Sequence, residues 1–149
     1  MELVAPVGPV YQAGTLSANP VGMRAGLATL QKIESVKAYE KLEGRTARFS
    51  EQLNSDLKQR GLPFEVTRSA SIFWLHARTE NVIRRIDQIP AHNAAAFARV
   101  FHGALNRGVY LSPSGYEVNF MSLAHSDALL EQTRDAILAA IEESQLTPA

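Results

Sequence analysis

Apolar side chains recur every three or four positions in four stretches of this chain, and β-branched or aromatic residues crowd into short runs in four others. Residues 1–18 carry neither pattern; Pro6, Gly8, Pro9 and Gly14 punctuate them, so an extended or irregular segment is expected. Asn19-Pro20 predicts a helix start, because asparagine caps exposed amides and proline at the first helical position loses only a donor that has no partner. Met23, Leu27, Leu30 and Ile33 then form one apolar face, interspersed with Gly22, Ala25, Gly26 and Ala28. A second helix is predicted over about 36–60, with Leu42, Phe49, Leu53 and Leu57 as its stripe. Gly61 caps it and Pro63 stops it. Residues 64–68 and 71–76 read as an antiparallel strand pair around Ser69-Ala70.

Residues 77–91 predict a loop carrying one helical turn. From Asn93 the helical period returns with Phe97, Val100, Phe101, Ala104 and Leu105, ending at Gly108. Short strands are expected at 109–111 and 119–123, separated by the Ser112-Pro113-Ser114-Gly115 turn. Ser126 or Asp127 caps a last helix whose inner face is Leu129, Leu130, Thr133, Ile137, Ala140 and Ile141. The order predicts an α+β fold, a two-layer sandwich with a small, mostly antiparallel sheet covered on one face by helices.

Composition changes this picture little. At 149 residues the chain suits one core, which at this size buries roughly 68–70% of the unfolded surface. Lysine plus arginine equals aspartate plus glutamate at 15 each, so no net field draws nucleic acid or an anionic membrane. The absence of cysteine removes disulfides, thiolate nucleophiles and cysteine metal sites, and fits a cytoplasmic location. The opening residues lack a basic region before their apolar ones, unlike a signal peptide, and no window approaches the ~18 apolar residues of a membrane span. A soluble protein is expected.

No self-contained active site emerges. His76, His92, His102 and His125 show no metal-binding spacing, and neither a nucleophile elbow nor a P-loop is present. Arg84-Arg85 reads as a solvated face. No catalytic residue and no metal site are assigned.

Three ordered segments carry more information. Residues 8–20, GPVYQAGTLSANP, closely resemble the GPVYQAGTLSGNP of class III pyridoxal-phosphate-dependent aminotransferases, in particular the glutamate-1-semialdehyde aminomutases. Residues 108–114, GVYLSPS, resemble that family's GVYLAPS, and residues 120–126, FMSLAHS, match its FMSLAHS. Ala18 stands where the family has glycine, and Val118-Asn119 where the aminomutases have Ala-Gly; residues 71–90 also depart from their pattern. Those departures leave a transaminase of ω- or β-amino acids open.

The resemblance implies the C-terminal portion of a fold type I enzyme, with residues 1–35 as cofactor-phosphate segment and linking helix and 36–149 as a small domain. It implies pyridoxal 5'-phosphate as cofactor, with Gly14 and Thr15 binding its phosphate across a homodimer interface. Backbone amides and a hydroxyl, unobstructed by a side chain, suit such an anion. Tyr11, Gln12 and Glu117 become substrate-side candidates; His125 is expected to support the last helix. The family's cofactor-anchoring lysine lies in a large domain before the Gly-Thr segment. Lys32, Lys37, Lys41 and Lys58 all fall on predicted helices in no matching context, so this chain alone is expected to be inactive. Two alternatives are a non-enzymatic dimerisation or regulatory domain and a piece completing a separately encoded large subunit.

Overall fold

The computed structural model of the chain describes residues 1–146, in two compact units: residues 1–37, and the chain from Ala38 onward. In the first unit, helix α1 spans Pro20–Ser35. Asn19 Oδ1 accepts the amides of Val21 at 2.8 Å and Gly22 at 3.3 Å, so the expected cap forms. None of its residues is buried, and Val21, Met23, Leu27 and Leu30 are all exposed. The helix ends at Ser35, and two residues on, Lys37, with a φ of +50°, takes the backbone into the left-handed region. The predicted second helix therefore starts at Ala38 rather than at Val36, and Lys37 lies between helices rather than on one.

The second unit begins with α2, Ala38–Gln59, which buries Thr46, Phe49, Ser50, Leu53 and Leu57. Gly61 at φ +65° reverses the chain. Its amide donates to Lys58 O at 3.2 Å, and that of Leu62 donates to Leu57 O at 2.9 Å, which satisfies carbonyls at the helix end. Strands β1 (Phe64–Ser69) and β2 (Ile72–Ala77) pair antiparallel from Phe64 with Ala77 to Ser69 with Ile72. Phe64, Val66, Phe73 and Leu75 join the core. One 3₁₀ turn at Ile86–Gln88 fills the predicted loop, and Arg85 there pairs with Asp87 at 3.0 Å in solvent.

Helix α3 (Asn93–Leu105) and helix α4 (Asp127–Leu146) pack on each other and, with α2, enclose the core. Gly103 allows the α3–α4 approach: a Cβ there would sit 2.8 Å from Ala140 Cβ and 3.2 Å from Ala140 Cα. Because α4 meets both α2 and α3, it buries a wider arc than the single predicted stripe. Leu138 is 1% exposed, whereas Leu129, expected inside, is 48% exposed.

Two strand expectations need correction. Residues 109–111 form no strand. Leu111 is buried, and the next residue bonds within the loop: Ser112 N donates to Asn119 Oδ1 at 2.8 Å and Ser112 Oγ to Val118 O at 2.6 Å. The last strand, β3, is only Asn119–Phe120, antiparallel to β2. Beyond Met121, whose amide reaches Ser71 O at 3.0 Å, a turn closes with Ser122 N donating to His125 Nδ1 at 3.1 Å. The sheet order is β1-β2-β3.

Candidate cofactor and substrate segments

Tyr11, Gln12, Gly14 and Thr15 lie in the first unit, in an exposed stretch without regular structure that leads into the turn before α1. Ser17 N donates to Gly14 O at 2.9 Å and Asn19 N to Leu16 O at 3.2 Å, which fixes this turn. Among the described residues the amides of Gly14, Thr15 and Leu16 and the Thr15 hydroxyl have no hydrogen-bond partner. Three consecutive backbone amides and one hydroxyl, at a position without a Cβ, fit a phosphate group. A Cβ on Gly14 would overlap Ser17 Oγ. Ala18, where the resembled family carries glycine, adopts φ +58°, a left-handed conformation that glycine takes without steric cost.

Glu117 belongs to the second unit. It is exposed on the loop between Leu111 and β3, and its carboxylate has no partner among the described residues. Its amide donates to Ser114 O at 3.1 Å, and that of Tyr116 to Ser114 Oγ at 3.2 Å. A deeper anchor holds this loop. The Gly115 carbonyl accepts from Trp74 Nε1 and from Asn93 Nδ2, each at 2.9 Å. Asn93 is fully buried, and its Oδ1 accepts Ala77 N at 2.8 Å. Sequence reasoning treated Asn93 as a helix start and Trp74 as strand filler; only the fold brings them to one carbonyl.

Two of the histidines, His76 and His125, hold structure through ring hydrogen bonds. His76 is buried with Nδ1 donating to Ala77 O at 2.9 Å and Nε2 3.0 Å from Thr67 Oγ1; its ring stacks on Trp74 at 4.2 Å. Arg45, which the sequence did not single out, clamps the turn before α4. Its Nη1 donates to His125 O at 2.7 Å, and its Nε lies 3.5 Å from Asp127 Oδ1. No group of metal-ligating side chains occurs among the described residues, and no described helix is long and apolar enough to cross a membrane. An open apolar groove of about 400 Å³ lies in the second unit, lined among others by Phe49, Phe73, Leu111, Phe120 and Met121. None of the five predicted site residues lines it.

The small antiparallel sheet with its helices is a fold shared with solved aminotransferases. A β-phenylalanine aminotransferase from Variovorax paradoxus superposes with a TM-score of 0.77 at 26% identity over 93% of this chain and 32% of its own. An omega-transaminase from Sphaerobacter thermophilus does so at 0.69 and 25%, with the same coverage. A transaminase with PLP bound shares the fold at 0.71, with 21% identity over 95% of this chain and 32% of its own. No protein-family model matches the chain. In fold the chain is thus similar to pyridoxal-phosphate-dependent transaminases.

In sequence it is similar to glutamate-1-semialdehyde 2,1-aminomutases. The protein of that name from Bdellovibrio bacteriovorus is 51% identical over 142 residues, which is 95% of this chain and 33% of the relative. That of Leptospira biflexa is 49% identical over 144 residues, or 96% and 34%. The chain thus spans about a third of the length of the curated relatives it matches.

Proposed function

We propose that this chain is the C-terminal third of a glutamate-1-semialdehyde 2,1-aminomutase, working only when joined to the remaining two thirds. The observation that carries this is the half identity to aminomutases across nearly the whole chain, against about a quarter to the solved transaminases. In the complete enzyme the amino group moves within one molecule from carbon 2 to carbon 1, giving 5-aminolevulinate for tetrapyrrole synthesis. The pyridoxal phosphate cofactor supplies the electron sink such a transfer requires.

This chain's part is to bind and orient. The free amides of Gly14 and Thr15, with the Thr15 hydroxyl, take the cofactor phosphate of a homodimer partner's site. Tyr11 and Gln12 line the substrate cavity, and the unpaired Glu117 carboxylate attracts the substrate's ammonium group. None of the four lysines fits the anchoring role: Lys32, Lys41 and Lys58 are on helices and Lys37 is at the break between α1 and α2. Borohydride treatment of this chain with the cofactor should therefore fix none of it covalently. A cytoplasmic homodimer is the expected setting. Amino transfer from ω- or β-amino acids to keto acids is the second possibility, favoured by the shared fold of the omega-transaminase and the β-phenylalanine aminotransferase.

The test is a chimera in which this chain replaces the matched third of the Bdellovibrio relative. It should convert glutamate-1-semialdehyde to 5-aminolevulinate without an external keto acid. Thr15→Ala should weaken cofactor binding about tenfold, the loss of one hydrogen bond to a charged group. Equal affinity by equilibrium dialysis would remove Thr15 from the phosphate site. Amino transfer only to external keto acids would favour the second possibility.

A further inference from the structure

Glu117 and Tyr116 sit at the tip of a loop that is exposed yet tied down at both ends and in the middle. Ser112 closes its start through Asn119 Oδ1 and Val118 O. At the centre, Gly115 is pressed against α3: a Cβ there would lie 2.9 Å from Phe97 Cβ and 3.2 Å from Asn93 Nδ2. Its carbonyl uses both acceptor sites, one on Trp74 of β2 and one on Asn93 of α3. Asn93 also holds the last amide of β2 through Ala77, so one buried amide side chain joins sheet, helix and loop.

Covering the core needs only apolar contact at this point. Two donors from different elements converging on a single carbonyl fix the orientation of the peptide as well as its position. What the loop holds outward is a carboxylate and a phenol, neither of which has a hydrogen-bond partner among the described residues. A charged side chain preorganised in this way loses little freedom when it meets a cationic group.

We infer that Asn93 and Trp74 are positioning residues, which hold the Gly115 carbonyl so that Glu117 is presented in a fixed orientation to the ammonium group of the amino substrate. This rests on the aminomutase reading of Glu117. Neither residue touches the substrate; both act through the loop.

Two measurements test it. In the full chain, Trp74→Phe keeps the ring and removes only the Nε1–H donor. Amide exchange at residues 114–118 should accelerate about fivefold, the scale of one modest hydrogen bond, with the α2 and β1 amides unchanged. No acceleration, or acceleration spread evenly over the unit, overturns the anchor.

In the Bdellovibrio chimera, Trp74→Phe and Asn93→Asp should each raise KM for the amino substrate more than they lower kcat. Asn93→Asp keeps the acceptor for Ala77 N and removes the donor to Gly115 O. In a Glu117→Gln background both effects should vanish, because a group acting through Glu117 has nothing left to position. Undiminished effects in that background overturn the positioning role while leaving the functional reading intact. A folded but inert wild-type chimera defeats the functional reading and this inference with it, whatever the exchange result.

Discussion

Substituting Gly103 by alanine opposes two effects that the structure allows to be weighed. On an isolated helix the change is favourable, by roughly 0.5–1 kcal/mol, because glycine loses more backbone freedom on folding. In this protein the added methyl would arrive 2.8 Å from Ala140 Cβ and 3.2 Å from Ala140 Cα. Part of that obstruction is backbone of α4, so relief requires the two helices to part rather than a side chain to turn. Overpacking of this kind costs about 1–3 kcal/mol. The separation would also loosen Val100, Ala104, Ile137 and Ile141, which are fully buried around the crossing. Packing therefore outweighs propensity, with a net loss of about 1–2 kcal/mol. At roughly 4 °C per kcal/mol for a unit of this size, Tm should fall by about 4–8 °C.

Thermal and urea unfolding of Gly103→Ala, of Ala140→Gly and of the double variant would measure it. Ala140→Gly alone should destabilise, through lost helix propensity and a small void. The double variant should recover at least about 1 kcal/mol relative to the sum of the singles, since the colliding atom has gone. If Gly103→Ala is neutral or stabilising, or the pair is additive, close packing does not limit this crossing and the reasoning fails.

Removing the Arg45 head as Arg45→Met should cost about 1.5–3 kcal/mol, the range for a hydrogen bond from a charged donor. Asp127→Ala should cost under about 0.5 kcal/mol, because that partner is 75% exposed; similar losses in urea unfolding would mean the ion pair matters more than the bond to His125 O. Ser50→Ala should be neutral or stabilising by up to about 1 kcal/mol, since the buried hydroxyl has no partner among the described residues. A loss above that in the same assay would reveal a partner for it.

The four helices and the β1–β2 hairpin were legible because each rests on short-range signals. The Asn19 cap, the Gly61 reversal and the Phe49–Leu53–Leu57 stripe need only residues within a turn or two. The Gly-Thr segment was singled out differently, by the resemblance of residues 8–20 to a family sequence. Residues 109–111 have the composition of a strand, but Asn119 and Val118 take the bonds of the adjacent Ser112 and no strand lies beside them. The α4 face was read too narrowly, because the width of an apolar arc depends on how many neighbours a helix has.

The sequence by itself therefore determined the four helices, the β1–β2 hairpin and their order, which depend on local chemistry, while Gly14 and Thr15 were singled out by resemblance to a family. Tertiary structure alone decided that Gly103 meets Ala140, that Arg45 clamps the turn at His125, and that Asn93 and Trp74 share the Gly115 carbonyl. Those pairings join residues between 22 and 80 positions apart. Nothing in periodicity or propensity encodes such a distance; only the packed core brings the partners within reach.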